Sequence, residues 1–257
     1  MKNNSTKIIA FTDGASRGNP GPAGYGAIIV YPYPIGSVKE EDKKKIKVME
    51  IGGGFDVSTN NRMEMSAVLK TFQTVIDRNI EGDIEIYTDS RYVHDGMIGW
   101  IYAWEKNNWK TAGGDDVQNQ DIWKELLKFA FSFRLDRSVN YVKVDGHSGV
   151  FGNERADKIA TGFADGNRVQ LFTGSLANYE KLMGGSLFKN DGSLSVEGGS
   201  KGAKDYVLYL SYVDGELKEH ETWESCKNAV TGIKGAKFKK VTNDEEKEKQ
   251  INAWRGI

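Results

Sequence analysis

Lys7-Ile8-Ile9-Ala10-Phe11-Thr12-Asp13-Gly14 is a short, near-continuous apolar run that stops at a carboxylate and a glycine. A strand buried on both faces has this pattern, because both sets of alternating side chains meet apolar neighbours. Working outward, Gly18-Asn19-Pro20-Gly21-Pro22 is a turn signal. Residues 24–31 form a second strand, ended by Pro32-Tyr33-Pro34 because proline cannot donate to a ladder. Residues 40–47 are charge-rich and suit a solvated loop or hairpin tip, and residues 46–55 make a weaker third strand. From 61 to 78 the period changes: Met63, Ala67, Val68, Phe72, Val75 and Ile76 recur at helical spacing. Ile84-Glu85-Ile86-Tyr87 is a strand ending at Thr88-Asp89-Ser90, where Ser90 can cap a helix running towards Trp100. A helix over 119–132, a strand over 139–144 and a helix over 153–163 closed by Gly166 complete an α/β pattern.

The chain has 257 residues, and at about 150 residues per domain this implies two domains or one with an appendage. Lys and Arg number 35 against 36 Asp and Glu, which excludes a uniformly cationic nucleic-acid coat and confines any such site to a local patch. The single cysteine, Cys226, excludes an intrachain disulfide framework and suits a reducing compartment. No apolar run reaches the length of a membrane span, and the polar N-terminal residues do not read as a signal peptide, so the expectation is a cytoplasmic protein without a membrane partner. Ten of the 19 residues from 184 to 202 are Gly or Ser, the mark of a flexible linker. The expected organisation is a catalytic domain over 1–166, a Gly/Ser-rich linker over 167–204, and a small domain over 205–257. Within the last, a strand over 206–212, a helix over 222–230, the basic strand Ala236-Lys237-Phe238-Lys239-Lys240 and a charged helix over 243–254 give β-α-β-α. Residues 176–183 could form a further short helix.

Four acids stand where strands or helices meet loops: Asp13, Glu64, Asp89 and Asp157. Singly, each reads equally well as a turn former or as a favourable charge in a first helical turn. Jointly they point elsewhere. Ligands of open α/β sheets gather beyond the strand ends, and Asp13 and Asp89 are neighbours there if their strands pair in parallel. Clustered carboxylates repel unless a divalent cation neutralises them, and all-oxygen ligation suits Mg²⁺ or Mn²⁺. Two such ions can activate water and stabilise the leaving oxygen in phosphodiester cleavage.

Phe11-Thr12-Asp13-Gly14 with Gly18-Asn19-Pro20-Gly21, Thr59-Asn60-Asn61-Arg62-Met63-Glu64, Tyr87-Thr88-Asp89-Ser90, Trp109-Lys110-Thr111, and Gly146-His147-Ser148-Gly149 leading into Gly152-Asn153-Glu154-Arg155-Ala156-Asp157 follow one another in this order. In these five blocks residues 7–166 resemble a type I ribonuclease H, which cuts the RNA strand of RNA–DNA hybrids. The resemblance implies a five-stranded mixed sheet flanked by helices. It also implies two Mg²⁺ ions, with Mn²⁺ as a substitute, on Asp13, Glu64, Asp89 and Asp157. Asn19, Asn60 and Asn61 match positions that contact ribose 2′-hydroxyls, which an amide can both donate to and accept from. Thr59 and Asn119 match a pocket for a phosphate of the DNA strand, with Val57 where that pocket often carries arginine. His147 matches a proton-shuttle or product-release residue. Trp100 and Trp104 are either core or part of the substrate surface. The basic handle of bacterial relatives is reduced here to Glu105-Lys106-Asn107-Asn108-Trp109-Lys110.

Residues 206–254 resemble the small hybrid-binding domain of eukaryotic ribonucleases H and of caulimovirus inclusion-body proteins, through Tyr209, Trp223, Cys226, Val230 and Phe238-Lys239-Lys240. That module is usually N-terminal, and Tyr212-Val213-Asp214 replaces basic residues common after its first strand. The expectation is a two-domain metal-dependent endonuclease acting on RNA–DNA hybrids and yielding 5′-phosphate and 3′-hydroxyl ends, with no protein partner evident. Its rivals are a DNA nuclease of the integrase or resolvase kind, against which the three asparagines and the His147 loop argue, and a non-catalytic hybrid-binding protein, against which the four acids argue.

Overall fold

The apolar run at the start of the chain becomes the middle of a sheet. The computed structural model describes residues 6–34, 38–134, 137–146, 148–189, 191–195, 208–213, 216–220, 222–233, 235–241, 250–251 and 253–254, and its chain divides into two compact units, Met1–Glu197 and Gly198–Ile257. The strands of the first unit are β1 (Thr6–Ser16), β2 (Gly21–Pro34), β3 (Lys47–Ser58), β4 (Asp83–Thr88), β5 (Val139–Lys143) and β6 (Thr173–Ser175). They form one mixed sheet in the order β5-β4-β1-β2-β3-β6. β1, β2 and β3 are an antiparallel meander, while β4 and β5 run parallel to β1. Its helices are α1 (Glu40–Lys43), α2 (Asn60–Asp77), α3 (Arg91–Asp95), α4 (Ile101–Lys106), α5 (Gln120–Arg134), α6 (Phe151–Ala164) and α7 (Leu176–Met183), with one π-helical turn, Gly96–Trp100, joining α3 to α4.

The period-2 geometry of β1 explains its continuous apolar character. Ile8 and Ala10 face a core that takes Val68, Phe72 and Val75 from α2 and Trp123 and Leu126 from α5. Ile9 and Phe11 face the opposite core, with Ala156 and Ile159 from α6.

Two expectations are corrected. The charge-rich run at 40–47 is not wholly solvated: it contains α1, and Lys43 is buried against Glu40 (2.6 Å) and Glu180 (2.9 Å). The residues read as linker from 167 onward are folded on the sheet through most of their described length. β6 pairs with the first residues of β3 (Met49↔Thr173), and Leu176, Tyr179, Leu187 and Phe188 enter the α6-side core. The short helix at 176–183 is α7.

The second unit holds β7 (Leu208–Val213), β8 (Glu216–His220), α8 (Trp223–Val230) and β9 (Lys237–Val241), with sheet order β8-β7-β9 and both pairings antiparallel. β8 is absent from the expected β-α-β-α pattern, because Glu216-Leu217-Lys218-Glu219-His220 carries no apolar alternation. Leu210, Cys226 and Val241 are buried. The helix expected over 243–254 falls mostly outside the described residues.

Ending the chain after Asp165 would therefore remove part of the first unit. Leu176, Tyr179, Leu187 and Phe188 are all nearly inaccessible, and each such side chain contributes about 1.5–3 kcal/mol by its burial. We expect a truncation after Asp165 to lose at least about 5 kcal/mol of stability, whereas a truncation after Glu197 should melt close to the full chain's first transition. Equal urea midpoints for the two truncations would show that β6 and α7 contribute nothing to stability.

Candidate active site

Asp13 reaches the end of β1 beside Asp89 because β1 and β4 pair in parallel with Phe11 opposite Tyr87, two residues before each acid. Glu64 joins them from the next element. Thr59 caps α2, accepting from the Arg62 amide at 3.4 Å, and the start of the helix lies directly on β1. Gly14 permits this approach: a Cβ there would lie 2.2 Å from the Glu64 nitrogen and 2.5 Å from the Met63 carbonyl carbon. Carboxylate oxygens of Asp13, Glu64 and Asp89 consequently lie within 4.8 Å of one another.

Asp13 and Glu64 are buried. Asp13 accepts from the Gly14 amide at 2.7 Å, and Glu64 Oε1 accepts from Asn60 Nδ2 at 3.4 Å. Glu64 Oε2 is shut off from water without a hydrogen-bond partner. Among the described residues no lysine or arginine pairs with the three acids. Burial first, then repulsion from Asp89 and Asp157, pushes Asp13 up to about 8. Burial and the neighbouring Asp13 and Asp89 drive Glu64 well above the usual carboxylate range. Hard oxygen donors, an orphaned buried oxygen and uncompensated charge together fit a divalent cation of the Mg²⁺ or Mn²⁺ kind.

Asp157, on α6, is near enough to repel Asp13 but lies outside the group of three, and its Oδ1 accepts from Thr161 at 3.2 Å. His147 lies outside the described residues. Two neighbours of the site carry no signal of their own in the sequence, although they stand within the motif block that leads to Asp157. Asn153 is buried and donates to Asp89 Oδ2 at 3.2 Å, leaving its own Oδ1 unpartnered. Glu154 adds to the repulsion on Asp13.

Of the three amides read from the sequence, Asn60 meets the acids directly, through Glu64. Asn19 Oδ1 accepts from the Asn60 backbone at 3.3 Å, joining the β1–β2 turn to the start of α2, and Asn61 is exposed in the first turn of α2. Thr59 and Asn119 are brought together through Arg62, whose guanidinium donates to Asn119 Oδ1 at 3.3 Å and forms a two-pronged pair with Asp121 at 2.9 and 2.6 Å. Trp100 and Trp104 lie 5.7 Å apart; Trp100 is exposed, while Trp104 also packs edge-on against Trp123. Trp104 thus packs towards the core, while Trp100 is open to solvent. The handle's Lys110 is paired with Asp116 at 2.7 Å.

In the second unit, Tyr209, Trp223 and Phe238 form a row with ring separations of 5.7 and 5.1 Å. Trp223 and Phe238 are exposed, as are Lys239 and Lys240, whereas Cys226 is buried with its thiol towards the Leu210 carbonyl.

The mixed sheet and the acids gathered at its strand ends define an α/β protein with a carboxylate cluster suited to a divalent cation. The sequence model of the RNase H family matches residues 5–164, and this chain belongs to that family. Ribonuclease H of Francisella philomiragia subsp. philomiragia is 43% identical over 159 residues, covering 62% of this chain and 90% of that protein. Ribonuclease H of Francisella tularensis subsp. novicida is 42% identical over 154 residues, 60% of this chain and 88% of its own. Among solved structures, LC9-RNase H1, a type 1 RNase H with the type 2 active-site motif, aligns with a TM-score of 0.56 at 21% identity, over 78% of this chain and 99% of its own, and supports the fold. The protein is accordingly a ribonuclease H. The family match ends before β6.

The raised acids give the site a pH signature. Asp13 holds its proton more tightly when folded (about 8) than at its ordinary value of 3.8. Its contribution to stability is therefore full below about pH 4 and is lost as pH rises towards 8. Without added cation, Asp13→Asn should melt higher than the wild type at pH 8, and the difference should shrink towards pH 4. Mg²⁺ at pH 8 should raise the melting temperature of the wild type more than that of the variant. Parallel melting curves across this range would sink the assignment.

Proposed function

We propose that this ribonuclease H hydrolyses the RNA strand of RNA–DNA hybrids to 5′-phosphate and 3′-hydroxyl products, with Asp13, Glu64, Asp89 and Asp157 as holders of two Mg²⁺ ions. The observation that carries the reading is the trio of acids, two of them buried, with an orphaned Glu64 oxygen and no lysine or arginine paired with it among the described residues. When bound, two divalent ions supply Lewis acidity at the scissile phosphate and lower the pKa of the attacking water.

The remaining work falls to the chain's own residues. Asp13, bonded to the Gly14 amide, and Asp89, held by Asn153, keep their oxygens aimed at a common point. Asn19, Asn60 and Asn61 border that point and offer amides to ribose 2′-hydroxyls, which distinguishes an RNA strand from a DNA strand. Thr59 and Asn119, with Arg62 between them, receive a phosphate of the DNA strand; exposed Trp100, with Trp104 behind it, offers an aromatic surface to the sugars. His147, with Gly146 and Gly149 beside it in sequence, assists proton transfer or product release. The second unit adds affinity, its exposed aromatic row stacking on the hybrid and Lys239 and Lys240 neutralising phosphates.

Asp13→Asn should lower hybrid cleavage at saturating Mg²⁺ by about 10³-fold or more, since the site's charge stabilisation is worth several kcal/mol, while binding to hybrid persists. Double-stranded DNA and double-stranded RNA should resist the wild type under the same conditions. Cleavage of double-stranded DNA at a comparable rate would point to the DNA-nuclease alternative instead.

Lys239→Ala with Lys240→Ala should weaken hybrid binding and flatten the plot of log K against log[salt] by about 0.9 for each phosphate no longer neutralised. Turnover at saturating hybrid should stay the same, because uniform binding energy lowers KM without raising kcat. An unchanged salt slope would mean that the second unit serves another partner.

A further inference from the structure

α6 delivers Asp157, and among its ties to the sheet one is directional as well as close. The helix lies on β2 across two glycines: a Cβ on Gly26 would be 2.4 Å from the Ala156 carbonyl oxygen, and one on Gly24 would be 2.4 Å from that of Ala160. Around this backbone contact Ile159 and Phe163 lie over Gly52, the Phe11 ring lies on Gly152, and Asn153 donates to Asp89, so apolar packing and one hydrogen bond seat α6 on the sheet. At its C-terminal end α6 is tied by Arg17–Asp165, an ion pair whose side chains are 47% and 38% exposed and which screening makes weak.

A different kind of tie holds the other side. Glu50, on β3, has a side chain with no exposure at all. It accepts from Arg155 Nε and Nη2 at 2.7 and 2.8 Å, from the Tyr179 hydroxyl at 2.9 Å and from the Phe172 amide at 3.0 Å. Two-pronged, charge-assisted bonds fix a direction as well as a distance. Arg155 belongs to α6 and stands two residues before Asp157, which at 3.6 residues per turn puts the two on nearly opposite sides of the helix. A roll that moves Asp157 must also swing Arg155 off Glu50. Two of the four donors, Tyr179 and Phe172, come from beyond the end of the family match.

We propose that the segment 170–183 is a brace for the catalytic helix. Tyr179 and the Phe172 amide orient Glu50, Glu50 holds Arg155, and Arg155 sets the rotation of α6 and with it the position of Asp157. Glu50, Arg155 and Tyr179 are positioning residues. A buried ion pair is a poor source of stability but a good source of geometric specificity. The proposal rests on the reading of Asp157 as a holder of the cation.

The test is calorimetric titration of the full-length protein with Mg²⁺ in the absence of substrate, alongside kcat and KM on hybrid at limiting Mg²⁺. Four variants are compared: Tyr179→Phe, Glu50→Gln, Asp157→Asn and Leu176→Ala. Leu176 is buried in the same segment but is not part of the hydrogen-bond network, so its variant reports loss of packing alone. We expect Glu50→Gln to weaken Mg²⁺ binding by about tenfold, the low end for residues that orient ligands, and Tyr179→Phe by a smaller factor. Both should lower kcat at limiting Mg²⁺ and leave KM for hybrid unchanged, and neither should weaken Mg²⁺ binding further in an Asp157→Asn background. Leu176→Ala should lower the melting temperature with Mg²⁺ affinity unchanged. If Tyr179→Phe and Glu50→Gln alter only the melting temperature while Asp157→Asn weakens Mg²⁺ binding, the brace is overturned and the reading of the site stands. If Asp157→Asn itself leaves Mg²⁺ binding and turnover intact, the role of Asp157 fails and the brace fails with it.

Discussion

Asp13 and Glu64 repel each other where little water reaches to screen them, so the protein must hold them together by force applied elsewhere. Side-chain contacts cannot supply that force, because a carboxylate on a free rotamer would simply swing away. The backbone supplies it. With Gly14 against the start of α2, main chain meets main chain, and the separation of the two acids follows from a contact that rotamers cannot relax. The same device recurs on the opposite face, where Gly24 and Gly26 admit the backbone of α6. The middle of the sheet is thus pressed between two helices, each bringing an acid to the strand ends that carry Asp13 and Asp89.

This arrangement makes the site an exception to the rule that buried charges are paired. Elsewhere in the first unit the rule is kept: Glu50 is fully buried and has four donors, and buried Lys43 has two carboxylates. Glu64 has a single long bond from Asn60 to one oxygen and none to the other. Natural proteins concentrate such violations at functional sites, where stability is given up for chemistry. The contrast between Glu50 and Glu64 therefore separates a fully satisfied buried acid from one left short of partners, without reference to any relative.

Much of this could be read from residues alone, for a physical reason. The acids sit at places where the pattern changes: Asp13 and Asp89 close apolar strands, and Glu64 and Asp157 lie near helix starts, so strand pairing and helix placement bring them together. The parallel pairing of β1 and β4 was the one condition needed for Asp13 and Asp89, and the register meets it. What stayed hidden depends on partners distant in sequence. Arg62 lies between Asn61 and Glu64 in a motif that is plain in the sequence, but its bonds to Asn119 and Asp121 span 57 and 59 residues. Asn153 finds Asp89 across 64 residues, and nothing in its own neighbourhood signals that partner.

The stretch from 167 onward misled for a related reason. A short helix is legible over 176–183, but the Gly- and Ser-rich run at 184–202 makes the whole stretch resemble a tether. Yet a few apolar residues at the right positions suffice when a core already waits for them. Leu176 and Tyr179 on one turn of α7, with Leu187 and Phe188 after it, cover the α6-side core beside Val48 and Ile46. β6, only three residues long, is enough to set the register by pairing with Lys47, Val48 and Met49. Composition reports whether a segment could bury a core by itself. It is silent on whether the segment can complete one that an existing sheet leaves open, and that is the role these residues take. A catalytic unit of this fold can therefore gain a contact to α6 from a segment whose composition does not announce it. The demand on the sequence is small: one tyrosine hydroxyl and one backbone amide aimed at an acid that was already buried.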